Sequence, residues 1–516
     1  MRYLSVILTL VALMSLVGCY ALRNSAARAH TVSPLSFGLA KAKTGEERYD
    51  VLYRTHCYAK ERGLQVSYDG IGEIRLSVPK GAKSIPLTEY TDFKGTTFIL
   101  QNYAQKMYVF ELVQQQPTKI QVAASDIDRG DFRKYAPLSK GRKVLVVKDK
   151  NPWVAERKGY GQPMIRNDIL YVEKGKALNS VVFGYNNSAS APSCEYFECK
   201  EGHRVIKNAK FYRDASSTAV PYCIKVNYAN DLLIENVEVH TEPNDLSADH
   251  ALHVLNSVNV VFKDVLIDKT FSQLKQSGYG IALHNLWNCE FENLTGYGNW
   301  GVFGSNNLSS IRFKDCSINR FDIHCYGKDI YFRSCKFFDL YNQFSSMAGI
   351  VYFEDCEFTN FTPVLIESSY NAFTAFTVEM VNCTFNTTAS KNYMIEAGRF
   401  DEERNTRPEL LRRYWPRLKV SNLTVNCPQD VKSFYFYRGR VPNENGVFID
   451  DIDDVAVDGL TINNEKGQSV NLYMSKYKVK TRRRGAVAME GLRFAGETKA
   501  TGVTSKRIID NITRTE

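Results

Sequence analysis

The chain has 516 residues, of which 44% are hydrophobic, 24% charged and 12% aromatic. That balance excludes a disordered or collagen-like chain, and a single N-terminal apolar run excludes a multi-pass membrane protein. Its 12 cysteines are too sparse for a disulfide scaffold, and a formal net charge of +10 favours acidic partners.

Arg2 precedes an apolar run from Val6 to Val17, the pattern of a secretory signal. The run ends Leu16-Val17-Gly18-Cys19, which resembles the lipobox of bacterial lipoproteins. The resemblance implies that Cys19 is lipidated and becomes the mature N-terminus. Residues 1–18 are then a signal peptide and 19–43 a polar tether. The implied location is outside the inner membrane, on the outer membrane of a Gram-negative cell, with the membrane as a partner through the lipid. Export argues against nucleic acid as a partner.

From Glu46 the apolar positions Tyr49, Leu52, Tyr53, His56 and Cys57 mark one helix face. Thr44 suits its N-cap and Gly63 its C-terminal stop. Strand patterns follow at Ile74–Val78 and Tyr90–Ile99. Residues 44–112 therefore read as a cap helix with first strands, and 113–200 as early rungs with insertions.

From residue 203 one pattern recurs: a period-2 strand, a pivot residue, and a second period-2 strand. The pivots are Asn208, Asn236, Asp264, Asn293, Asp315, Ser334, Asp355, Asn382, Asn422, Gly459 and Gly491, between 19 and 40 residues apart. Most are residue types that tolerate the left-handed turn such a corner needs. The pattern predicts one coil of a parallel β-solenoid per repeat, over residues 201–516. Helix, strand, Pro-x-Gly and repeat together resemble pectate-lyase-like right-handed parallel β-helices, an all-β class with an N-terminal capping helix. Cys316, Cys335, Cys356 and Cys383 share one inward position and read as a ladder of buried thiols.

A charged insertion spans 396–414, with five arginines among acidic residues, and a basic run covers Lys476 to Arg484. Asp126, Asp128 and Asp131 form a weak acidic cluster without a calcium-loop pattern.

The chemistry concentrates between residues 225 and 324. In Asn319-Arg320-Phe321-Asp322-Ile323-His324-Cys325, strand alternation points Phe321, Ile323 and Cys325 inward and Arg320, Asp322 and His324 outward, ~7 Å apart. An acid/base group, a carboxylate and a fixed cation suit proton transfer on an anionic substrate. Counting back from the pivots aligns His324 with Phe303, Ala282, His253 and Lys225, and Asp322 with Gly301, Gly280 and Ala251. The expected catalytic set is Arg320, Asp322, His324, His253 and Lys225. The expected substrate-binding set is Trp300, Phe303, Tyr279, Tyr297, His284 and Glu367. The Arg-Phe-Asp-x-His run also resembles one in β-helix proteins that act on surface polymers.

Three functions fit these residues. The first is β-elimination of an acidic polysaccharide, with Arg320 or Lys225 neutralising a uronate and a histidine as base. Calcium assists related lyases, yet no clear ligand cluster is present here, and no metal site is assigned. The second is glycoside hydrolysis, pairing Asp322 with Glu367, Asp249 or Glu242. The third is a non-catalytic glycan binder.

Overall fold

The computed structural model describes residues 31–516 except 102–106, 150–165, 186–190, 203, 214–221, 242–249, 270–278, 298–299, 367–373, 398–413, 440–446, 450, 453–454, 465–469, 476–477, 482–486, 496–511 and 515–516. Parallel strands dominate it, in one 29-stranded sheet that winds back on itself at every repeat. The architecture is a right-handed, single-stranded parallel β-helix with an N-terminal capping helix.

The cap helix, α1, spans Gly45–Arg62. Its capping box is complete. The Glu47 N–H donates to Thr44 Oγ1 at 3.1 Å, and the Glu47 carboxylate accepts from the Thr44 N–H at 3.2 Å. Gly63, at φ 63°, stops it in the left-handed region. Tyr49, Leu52, His56 and Ala59 are buried in the main core, closing an end that would otherwise expose apolar rungs. The cap extends further back than expected. Thr31–Val32 pair in parallel with Gln65–Val66, so residues 31–43 belong to the fold and not to a tether.

The corners follow the pivots. Asn208, Asn236, Asp264, Asn293, Asp315, Ser334, Asp355, Asn382, Asn422 and Gly459 all have φ between 52° and 76°. Stacked corners also bond to one another: Asn236 Nδ2 donates to Asn208 Oδ1 at 2.8 Å, and Asn293 Nδ2 to Asp264 Oδ1 at 2.6 Å. Inside, Phe262, Phe291, Phe313, Phe332 and Phe353 stack at centroid spacings of 4.6 to 5.0 Å, about one rung. The thiols of Cys316, Cys335, Cys356 and Cys383 are buried and unbridged, each facing a backbone carbonyl.

The described strands between residues 118 and 198 are not rungs; Val113 still pairs within the coil. Thr118–Ile120, Arg142–Asp149, Arg166–Glu173, Lys176–Ala177 and Ser193–Glu198 form a separate antiparallel sheet with its own core around Leu145, Val147, Leu170 and Val172. One face of it packs on the coil, where Tyr171 stacks on Trp287 at 5.4 Å. Trp287 is thereby taken out of any groove. Asp126, Asp128 and Asp131 serve this insertion. Asp126 bonds Lys134 and Arg129, Asp131 bonds Arg133 and Lys176, and Asp128 accepts from the Tyr185 N–H. Among the described residues no group of three or more His, Cys, Asp or Glu side chains could hold a metal ion.

Further along, Glu396 and Ala397 end the strand Tyr393–Ala397, so the charged insertion starts after them; residues 398–413 lie outside the described residues. Lys478–Thr481 is a strand paired with Val447–Ile449 and Ile512–Arg514.

Candidate active site

Strand pairing sets which side chains line up along the coil. Lys225 pairs with Glu111 and His253, His253 with Ala282, and Ala282 with Gly304. Ser305 pairs with Ile323, which brings Asp322 beside Gly304, and Asp322 pairs with Gln343. The outward row is therefore Glu111, Lys225, His253, Ala282, Gly304, Asp322 and Gln343. It corrects the expected alignment, in which His324 and not Asp322 joined His253 and Lys225. Phe303 is corrected as well. It points inward, fully buried against Phe291, Phe313 and Phe321, and lines no groove.

Around Asp322 the side chains converge. Tyr279 starts its strand two rungs back and crosses Gly304 to reach the carboxylate. Its hydroxyl lies 2.6 Å from Asp322 Oδ2 and 2.9 Å from His324 Nε2, and it accepts the Trp300 indole N–H at 2.7 Å. Arg320 donates to Asp322 Oδ2 and, at 3.1 Å, to Gln343 Oε1. Its guanidinium lies over the rings of Tyr341 at 4.3 Å and Trp300 at 4.5 Å. Arg320, Asp322 and His324 leave the coil core as expected, but they are not an open row. Arg320 and Asp322 are buried, and the His324 side chain keeps 17% exposure. Cys325 does not point into the coil core; it packs with Tyr326 and Phe183 under the insertion.

Burial opposes the Asp322 charge, but Arg320, His324 and the Tyr279 hydroxyl outweigh it and hold the carboxyl at about 2. Burial, and then the Asp322 charge, push the Tyr279 phenol well above its ordinary value. Asp322 is thus a fixed anion with a neutral phenol beside it.

A second group adjoins the first. The His253 and His284 rings meet edge to face at 5.1 Å, and His250 stacks on Tyr279 at 6.3 Å. Burial lowers His253 to about 2 and His284 to about 4, helped by neighbouring histidines, so both stay neutral. Tyr108 hydrogen-bonds His253 Nδ1. If Tyr108 is the donor, the imidazole proton sits on Nε2, which is buried and has no protein partner. Lys225 and Glu111 close this end of the row, paired at 2.8 Å.

The structure brings Arg320, Asp322, His324, Tyr279 and Trp300 into one cluster, with His253, His284 and then Lys225 leading away from it. Tyr297 stands elsewhere, on the neighbouring sheet, paired with Asp268. Glu367, Glu242 and Asp249 lie outside the described residues. Sequence reasoning missed Tyr108 and Tyr341. Tyr108 pairs with Tyr222 across the inserted sheet, so no local spacing links them.

Fold and row together define a parallel β-helix with a polar, aromatic-lined wall. Two solved structures share the architecture. The tailspike protein gp49 from Pseudomonas phage LKA1 is 14% identical, with 90% of this chain and 81% of that one covered and a TM-score of 0.53. The gp54 tailspike of Acinetobacter baumannii bacteriophage AP22, solved with an A. baumannii capsular saccharide, is 12% identical, with 94% and 79% covered and a TM-score of 0.54. No family model and no curated protein sequence matches the chain.

Proposed function

We propose that the chain is a polysaccharide-active enzyme that cleaves an acidic glycan by β-elimination, with Tyr279 exchanging protons with the substrate. The observation that carries this reading is the triple engagement of one phenol oxygen by Asp322, His324 and Trp300. The saccharide bound to the AP22 tailspike supports a glycan as the ligand class.

In β-elimination a base takes the C5 proton of a uronate. The C–H electron pair becomes the C4=C5 double bond, the C4–O4 bond breaks, and O4 takes up a proton. The Tyr279 hydroxyl, which donates to Asp322 at rest, first turns and passes its proton to His324 Nε2. The phenolate, steadied by the Trp300 N–H, accepts the C5 proton and delivers it to O4. His324 then returns its proton, and all atoms balance. Asp322, kept ionised by Arg320, stabilises the transient imidazolium. Arg320 itself is spent on Asp322 and clamps no substrate. The neutral His253 and His284 add no charge beside the site. Lys225, its side chain 26% exposed, can exchange Glu111 for an acidic group on a neighbouring sugar.

Hydrolysis needs two carboxylates about 5–9.5 Å apart across the bond. Along the outward row, among the described residues, the next carboxylate from Asp322 is Glu396, reached through Gln343 and Leu365, three rungs or ~14 Å away. One observation favours hydrolysis of a neutral glycan as a second reading: Arg320 and Lys225 are both already paired with carboxylates. Incubation with polyuronates and glycosaminoglycans, with and without calcium, tests the proposal. Ultraviolet absorbance of an unsaturated uronate marks elimination, whereas new reducing ends without absorbance mark hydrolysis. We further propose that the enzyme works outside the cytoplasm, tethered through lipid on Cys19.

A further inference from the structure

A second outward row runs along the neighbouring sheet. Tyr212 pairs with His240, His240 with Asp268, and Asp268 with Tyr297. Each member precedes the first wall by a single connection: 214–221, 242–249, 270–278 and 298–299. The next described residues after these connections include Tyr222, His250, Tyr279 and Trp300. Successive rungs therefore carry one member of each row.

Two features of this row are unusual for a solvated strand face. Tyr212 and Tyr297 keep 41% and 38% exposure, and they are two of the five large hydrophobics exposed among the described residues. An imidazole and two carboxylates lie between them. The Tyr212 ring stacks on His240 at 4.7 Å and 13°, and His240 bonds Asp268 at 3.1 Å and contacts Glu238 at 3.5 Å. Lys210 pairs with Glu238 at 2.9 Å, so the carboxylates are fixed in place and partly neutralised. Two aromatic surfaces with anchored hydroxyl acceptors between them match a pyranose chain: apolar C–H faces meet rings, and hydroxyls donate to carboxylates. Three rungs separate the tyrosines, ~14 Å, the length of a short oligosaccharide.

We propose that Tyr212, His240, Asp268 and Tyr297 form a second saccharide-binding surface, which holds the chain without reacting with it. The proposal rests on the glycan reading of the Tyr279 site. Affinity electrophoresis of the full chain in gels containing alginate, polygalacturonate, hyaluronan or dextran tests it. At least one polymer retards the wild-type protein. In the Tyr212→Ala/Tyr297→Ala double variant that retardation is about tenfold weaker. The Tyr212→Phe/Tyr297→Phe variant keeps the rings and the retardation. A double alanine variant retarded like wild type overturns this surface and leaves the glycan reading standing. A double phenylalanine variant that loses retardation overturns the stacking role. A wild-type protein that no polymer retards overturns this surface and the glycan reading together.

Discussion

Tyr279 reaches Asp322 only because residue 304 is glycine. A Cβ on Gly304 would lie 2.5 Å from the Tyr279 ring Cγ, closer than packed atoms approach. Gly304 is also the row neighbour of Ala282, so the floor of the wall is shallow where the phenol crosses it. Gly304→Ala must displace the ring. A displacement near 1 Å at a reacting group costs about 100-fold in rate. The predicted outcome is that loss in kcat/KM with cooperative unfolding retained, read by turnover and a urea melt. A variant that turns over like wild type would remove Tyr279 from the mechanism.

Asp322 and Arg320 form a buried pair, so removing one partner leaves a buried charge. Arg320→Met is expected to cost about 3–5 kcal/mol in urea unfolding, whereas the double replacement Arg320→Met/Asp322→Leu recovers much of it. Equal losses in the single and double variants would show that the ion pair is not what the single variant breaks.

Acid should destabilise the fold in two stages. His56, His253 and His284 are lowered by burial to about 3, 2 and 4. The unfolded chain binds protons that these residues refuse, so stability present above pH 6.5 falls as pH drops below it. Asp322 acts lower down. Its folded value of about 2 lies below the ordinary carboxyl value, so its contribution is present above pH 4 and fades as pH falls toward 2. Urea midpoints at pH 7, 6, 5 and 4 should decline, and His253→Gln should flatten the upper part. A level profile from 7 to 4 would contradict the buried neutral histidines.

The corners were legible in the sequence, and the groove only partly. A left-handed corner restricts residue type, so Asn, Asp and Gly mark the turns at Asn208, Asp264 and Gly459 wherever loop lengths vary. The face a residue presents is less secure. His324 was aligned with Phe303, whereas Ser305 pairs with Ile323, which sets His324 beside Asn306. The displacement is three residues, an odd number, and with a side-chain period of two it exchanges a core residue for a groove residue. Residues 113–200 read as early rungs, yet Val144–Val147 lies in an antiparallel sheet. A hairpin there turns through left-handed residues, Lys174 at φ 47° and Gly175 at φ 77°, but no such corner recurs from strand to strand as it does in the coil. Tyr279 was read as a sugar platform. Its link to Asp322 depends on crossing Gly304, which strand alternation does not reveal.

Lipidation at Cys19 has its own check. Cells fed a radiolabelled or alkyne-bearing palmitate should label the wild-type chain and leave Cys19→Ala unlabelled. Equal labelling of both would move the lipid elsewhere, and no labelling of either would leave the chain unanchored.

The central claim is that Tyr279 carries the proton in an elimination. The most direct measurement follows ultraviolet absorbance while the purified protein acts on polyuronates, beside Tyr279→Phe. Tyr279→Phe keeps the ring and removes only the hydroxyl. The account predicts a rise for the wild type and a rate lower by about 100-fold or more in the variant, with folding unchanged. An equal rise in both proteins, or reducing ends released without absorbance, would contradict it.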